Sequence, residues 1–96
     1  MRSAPELLQA GKKVIDISAD YRLSDPAHYP QWYKIEHSSP DILKTAVYGL
    51  PEIYCDSIKG ASLVANPGCY PTATALALAP LLKAGLVSPR GIIVDA

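Results

Sequence analysis

The sequence predicts an α/β fold around a mostly parallel sheet. Short strand-like runs, "VIDIS", "TAVYGLPEIY" and "ASLVAN", alternate with segments of helical composition. That alternation is the pattern of an α/β layer. "ASLVAN" and the closing "GIIVDA" are also apolar almost throughout, as strands covered on both faces of a parallel sheet are.

Ser3 and Glu6 have the S-x-x-E spacing of a capping box, and Pro5 is tolerated in a first turn. Leu7, Leu8 and Ala10 supply one apolar face, so a short helix is expected over about Ala4 to Ala10, stopped by a left-handed Gly11. The β-branched "VIDIS" from Val14 is the first strand. From Asp20 to Thr45 the chain is polar, dotted with prolines and rich in tyrosine. Within it Ser24-Asp25-Pro26 and Ser39-Pro40-Asp41 each read as a cap followed by a short helix. The whole segment reads as a long ordered loop with a functional role.

"TAVYGLPEIY" is expected to form a short strand broken by Gly49 and Pro51, and "ASLVAN" a near-continuous apolar one. A helix from about Pro71 to Ala84 follows, ended by Gly85 with Lys83 in its last turn. Pro80 lies inside it, where a proline removes a hydrogen bond and costs about 3 kcal/mol. A kink between Leu76 and Pro80 is the expected response. "GIIVDA" reads as a closing strand. Both ends look abrupt, and the chain reads as a piece of a larger protein.

The bulk properties exclude several function classes. The 96 residues suffice for one small domain, and 49% of them are apolar. A unit of that size buries only about 60–65% of its unfolded surface. Nine basic and nine acidic residues cancel, leaving no basic field for nucleic acid or an anionic membrane. No apolar run approaches the roughly 18–20 residues of a membrane span. The opening "MRSAPELLQAGKK" lacks the apolar core of a signal peptide. Cys55 and Cys69 have no metal-ligand spacing, so no metal site is expected. A soluble, cytoplasmic protein with free thiols is the simplest reading.

The chemistry concentrates in "LVANPGCYPTATALAL", Leu63 to Leu78. A cysteine just before a helix faces the unpaired N–H groups of the first turn and the positive end of the helix dipole. Both favour thiolate over thiol, so the thiol of Cys69 is expected to ionise below the free value of about 8.5. Gly68 leaves the approach to sulfur open, and Pro71 is expected at the first helical position. The same N–H groups could hold an oxyanion formed on a carbonyl that Cys69 attacks. The bland alternative is a small buried residue in a βα turn, since free cysteine is among the most buried residue types. The N-P-G-C-Y-P setting of Cys69 argues against it; Cys55, between Tyr54 and Asp56, keeps it.

"VIDISADYRL", "VYGLPE", "ANPGCYPTA" and "GIIVDA" resemble successive signatures of the N-acetyl-gamma-glutamyl-phosphate reductases, NADPH-dependent enzymes of arginine biosynthesis. The resemblance runs from about Ala10 to the last residue, and "ANPGCYPTA" is its most specific part. The related aspartate-semialdehyde dehydrogenases carry Asn-Cys where this chain has Gly68-Cys69, which favours the acetylglutamyl branch. The resemblance implies a partial Rossmann-like sheet over residues 1–90, the later part of a dinucleotide-binding domain. Residues 91–96 would then begin the following α+β catalytic domain.

It further implies a reductive dephosphorylation in which Cys69 attacks an acyl phosphate and forms a thioester, reduced by hydride from NADPH. Arg22 matches the arginine thought to hold the substrate's phosphate, with Ser18 beside it in "SADYR"; a guanidinium fork suits phosphate. Read from residue chemistry alone, Arg22 could equally be a surface arginine paired with Asp20. Asn66, Pro67 and Gly68 are implied on the cofactor side, although Asn66 could simply terminate its strand. The full-length protein is implied to be a homo-oligomer.

Imidazole is the side chain best suited to act as a base at neutral pH, which draws the eye to His28 and His37, but in the family the base is a histidine of the following domain, and both read as loop histidines. The tyrosines at 21, 29, 33, 48 and 54, with Trp32, read as packing the loop over the sheet. No glycine-rich phosphate loop is present, the six glycines being scattered. This chain alone is therefore expected to be inactive. Other readings stay open: a dehydrogenase acting on aspartyl or aminoadipyl phosphate, or a non-catalytic α/β interaction domain. A cysteine hydrolase is weaker, because no well-placed histidine follows Cys69.

Overall fold

A computed structural model describes all 96 residues. In chain order it comprises α1 (Ser3–Gln9), β1 (Val14–Asp16), α2 (His28–Tyr33), α3 (Pro40–Leu43), β2 (Val47–Tyr48), α4 (Pro51–Lys59), β3 (Leu63–Ala65) and α5 (Cys69–Lys83). The three strands form one parallel sheet of order β1-β3-β2. Val14, Ile15 and Asp16 pair with Leu63, Val64 and Ala65, while Val47 and Tyr48 pair with Val64 and Ala65 on the other side. The α/β class and the parallel sheet are as the alternation predicts.

The central strand is the most buried element. Leu63 and Ala65 have no exposed surface, and Ala4, Tyr21, Tyr29 and Leu43 pack with them into one cluster. Three of those six residues come from the polar stretch between Asp20 and Thr45, which supplies much of the core rather than only overlying it. Tyr29 is the pivot. Its hydroxyl donates to the Ala19 carbonyl and accepts from the Leu23 N–H, both at 3.2 Å. A buried hydroxyl with both roles filled carries no desolvation penalty for a missing partner. His37 lies edge-on to Tyr21 and Tyr29, donates to the Asp20 carbonyl at 2.6 Å and accepts from the Ser39 N–H at 3.1 Å. Trp32 and Tyr54 stay exposed, and Tyr33, also exposed, stacks on Tyr29 from outside with ring centroids 5.6 Å apart.

Several boundaries differ from the sequence reading. Ser3 is already helical in α1, the preceding Arg2 takes the N-cap position, and no side chain caps the helix. The capping box therefore does not form, although Gly11 does take the left-handed conformation, with φ +71°. Gly85 does the same after α5, with φ +68°. Residues 51–54 do not continue a strand. Pro51 opens α4, because a proline in the first helical position gives up only a hydrogen bond the helix start lacks anyway. The irregular turn falls in α4 at Tyr54 (φ −116°, ψ 23°), whereas α5 runs uninterrupted through Pro80.

Gly68 is the N-cap of α5 and Cys69 its first residue, so Pro71 sits third rather than first. Residues 91–96 form no strand, because no strand of the sheet lies alongside to share hydrogen bonds. Ile92, Ile93 and Val94 instead lie along α5 beside Ala73, Ala77 and Leu78. No helix is long and apolar enough to cross a membrane.

Candidate active site

Parallel strands deliver their carboxyl ends to one edge, and the loops leaving that edge are where such sheets place ligands. Here β1 releases the chain at Asp16, β2 at Tyr48 and β3 at Ala65. The Asn66 N–H donates to the Asp16 carbonyl at 2.8 Å and the Gly49 N–H to the Ala65 carbonyl at 2.8 Å, so pairing continues one residue into the loops. Cys69, Asn66, Pro67, Gly68, Arg22 and Ser18 all follow those strand ends.

The turn from Asn66 to Gly68 is extended at its last residue, with φ −73° and ψ 153° at Gly68, and drops directly into α5. The Gly68 carbonyl receives both the main-chain N–H of Thr72 at 3.0 Å and its hydroxyl at 2.8 Å, which closes the first turn firmly. Cys69 is exposed and unpaired by any disulfide. Burial in the βα turn is thereby overturned for Cys69, and for Cys55 as well, which lies exposed in α4. The N–H groups of Cys69 and Tyr70 have no acceptor in the chain, and Pro71 has no N–H to compete with them. Two aligned donors thus stand open beside an accessible sulfur.

Arg22 crosses from the β1 loop to this turn. Its Nε donates to the Asn66 carbonyl at 2.7 Å and its Nη2 to the Ile17 carbonyl at 3.1 Å. It makes no ion pair, with Asp20 or any other carboxylate. The expected surface pairing with Asp20 therefore does not occur. A Cβ added at Gly68 would lie 3.3 Å from Arg22 Nη1 and 3.3 Å from Pro71 Cδ, so only glycine leaves this side of the guanidinium free of contact. The family resemblance implied Arg22 as a phosphate ligand, but nothing in the sequence signals that two main-chain carbonyls are its acceptors, since carbonyls leave no trace in residue identity.

Ser18 is absorbed by its own turn. Its N–H and hydroxyl both donate to the Asp16 carboxylate, at 3.0 and 2.9 Å, and its oxygen accepts from the Asp20 N–H at 3.1 Å. The D-x-S-x-D spacing of Asp16, Ser18 and Asp20 is the signal for that hydrogen-bonded turn. Asn66 is exposed, its amide nitrogen 3.3 Å from the Pro67 carbonyl. Pro67 and Gly68 are half-buried beneath it. The largest cleft, of about 580 Å³, is lined by Arg22, Lys44, Tyr48, Tyr54 and Ser57 among others, and excludes Cys69. His28 lies on the exposed start of α2, and both ring nitrogens of His37 are occupied, so neither histidine joins the turn.

Residues 1–61 match the family profile described as semialdehyde dehydrogenase, NAD binding domain. A Symbiobacterium thermophilum protein named N-acetyl-gamma-glutamyl-phosphate reductase is 58% identical over 96 residues, which is 100% of this chain and 28% of the relative. Proteins of the same name from Halorhodospira halophila and Desulfotalea psychrophila are 57% and 56% identical over 95 residues each, 99% of this chain and 28% and 27% of theirs. The chain thus spans a little over a quarter of the length of these curated relatives. Since the profile covers well over half of its residues, the chain belongs to the semialdehyde dehydrogenase family, in its NAD-binding domain.

Proposed function

We propose that this chain is the nucleophile-bearing segment of an N-acetyl-gamma-glutamyl-phosphate reductase, with Cys69 as nucleophile. The observation that carries the reading is the exposed Cys69 at the first position of α5, with the free N–H groups of Cys69 and Tyr70 beside it. The full-coverage likeness to reductases of that name supports the choice of substrate.

Cys69 Sγ attacks the acyl carbon of the substrate, and the carbonyl oxygen gathers negative charge. The N–H groups of Cys69 and Tyr70 stabilise that oxyanion where a helix start is already electropositive. The bond from the acyl carbon to the phosphate oxygen then breaks, phosphate leaves with the electron pair, and a thioester to Cys69 remains. Arg22 keeps three N–H groups beyond its two carbonyl bonds, and these hold the phosphate as it departs. When bound, NADPH supplies the hydride that converts the thioester to a thiohemiacetal. Collapse of the thiohemiacetal frees Cys69 and releases the semialdehyde. The proton-transferring base belongs to a part of the enzyme outside these 96 residues.

The turn fits the nicotinamide end of such a nucleotide. Asn66 presents an exposed carboxamide above Pro67, and Gly68 carries no side chain to fill the space between Arg22 and Pro71. No glycine-rich loop for the pyrophosphate occurs in the sequence. Residues 91–96 are assigned to the start of the catalytic domain, and the complete enzyme is taken to be a cytoplasmic homo-oligomer that prefers NADPH.

The test is an assay of the complete reductase carrying this segment against N-acetylglutamyl, aspartyl and aminoadipyl phosphates. Fastest NADPH oxidation is expected with the first. Equal or faster turnover of either other substrate would contradict the assignment. The 96-residue chain alone is expected to give no semialdehyde.

A further inference from the structure

We infer that Arg22 is a positioning residue for the nucleophile: it straps the turn before Cys69 to the loop after β1, and Gly68 keeps its remaining nitrogen open. The inference rests on Cys69 being the nucleophile, as proposed above, but needs no substrate to act.

The geometry separates the guanidinium into two parts. Nε and Nη2 are spent on the Asn66 and Ile17 carbonyls, at 2.7 and 3.1 Å. These atoms belong to loops that leave the two neighbouring strands β3 and β1. Those strands end in register, Asp16 opposite Ala65, and the Asn66 N–H already binds the Asp16 carbonyl. Asn66 is therefore held from both sides of its peptide backbone, by its N–H to β1 and by its carbonyl to Arg22. Three residues later comes Cys69. With Gly68 pinned in turn by Thr72, the main chain from Ala65 to Cys69 has little freedom left.

Lysine cannot reproduce the arrangement. Its single ammonium offers no planar fork and so cannot bridge two carbonyls in fixed directions. The third nitrogen, Nη1, faces the missing Cβ of Gly68. Any side chain there obliges the guanidinium or Pro71 to yield by a few tenths of an ångström, although the backbone of Gly68 itself is open to every L-residue. Gly68 is thus required by its neighbour and not by its own conformation.

The test uses the complete reductase in a Cys55→Ser background, which removes the other exposed thiol of this segment. The rate of Cys69 alkylation by iodoacetamide is measured without substrate, located by peptide mass analysis, together with KM for the acyl phosphate. Arg22→Lys keeps the positive charge but loses the strap. It is expected to change the substrate-free alkylation rate about ten-fold, the scale of one charged hydrogen bond, and to raise KM as well. A raised KM with an unchanged alkylation rate would show Arg22 acting on phosphate only; that sinks the strap and leaves the proposed function standing. An unchanged rate with unchanged KM sinks the strap as well and removes the phosphate role. A Cys69 that resists alkylation in the parent enzyme and a Cys69→Ser variant that retains turnover would instead overturn the proposed function itself. Should Arg22→Lys lose its circular-dichroism signature, Gly68→Ala decides. A change of about three-fold in alkylation, smaller than a full hydrogen bond and equal for iodoacetamide and the bulkier N-ethylmaleimide, supports the strap; the parent rate, or a loss that grows with reagent size as direct crowding of the sulfur would, overturns it.

Discussion

Gly49 stands against Val64 so closely that a Cβ on it would lie 2.8 Å from Val64 Cγ1 and 3.0 Å from the Ala65 carbonyl oxygen. The contact lets β2 turn away immediately after Tyr48 while the Gly49 N–H still bonds the Ala65 carbonyl. Gly49→Ala forces backbone apart in the tightest part of the sheet and is expected to destabilise by about 1–3 kcal/mol, the usual cost of overpacking. Gly60→Ala is the control, since nothing lies within 4 Å of a Cβ there. Thermal unfolding of the two variants in the complete protein should separate them, and equal midpoints would refute the close contact.

Burial raises the ionisation of Tyr29 and of Tyr21 above the ordinary value of 10.0. A group whose folded pKa is raised stabilises fully below its unfolded pKa, and that stability is lost as pH climbs through the folded value. The protein should therefore weaken in alkali above pH 10.0. Tyr29→Phe removes the ionisable group together with its bonds to Ala19 and Leu23. It is expected to cost about 1–3 kcal/mol near neutrality and to flatten part of the alkaline loss. Urea titrations at about pH 8 and about pH 11, on either side of the tyrosine pKa, check both effects. A variant with the parent's alkaline slope would count against Tyr29 as a contributor.

Removing the proposed nucleophile, Cys69, should be far more damaging than removing the other thiol. In the complete reductase, Cys69→Ser is expected to lower kcat by about four orders of magnitude or more, as loss of an attacking group does. Cys55, exposed in α4 and remote in sequence from the turn, should tolerate serine with less than about two-fold change, as surface positions do. Steady-state NADPH oxidation checks the pair. Comparable losses in both variants would remove Cys69 from its role.

Pro80 interrupts the hydrogen bonding of an otherwise regular α5 at an exposed position. Replacing it with alanine restores an N–H to the ladder and improves helix propensity, worth up to about 3 kcal/mol in a helix interior. Pro80→Ala should raise the unfolding midpoint. A fall would mean that the proline ring makes contacts that outweigh its backbone defect.

Much of the fold was legible because its signals are local. β-branched Val14–Ile15 and apolar Leu63–Ala65 announced strands, and Gly11 and Gly85 announced helix ends by the one conformation they take at low cost. Pro51 misled because the same residue breaks a strand and begins a helix; only the hydrogen bonds around it decide which. "GIIVDA" misled differently, since strand propensity becomes a strand only beside a partner, and none lies next to it here. At the site, the place of Cys69 at a helix start was readable from its neighbours in sequence. The anchoring of Arg22 was not, for a main-chain carbonyl 44 residues away has no letter of its own.

The middle strand of the sheet is also the last of the three to be synthesised. Neither flanking strand can find its partner until Leu63 to Ala65 has left the ribosome, because β1 and β2 do not touch one another. Within this sheet β1 and β2 stay unjoined until then, and their union is deferred to a long-range encounter, the slow kind in parallel topologies. A pause in the message well downstream of this strand, once Leu63 to Ala65 has cleared the ribosome, would lengthen the window in which these pieces dock correctly.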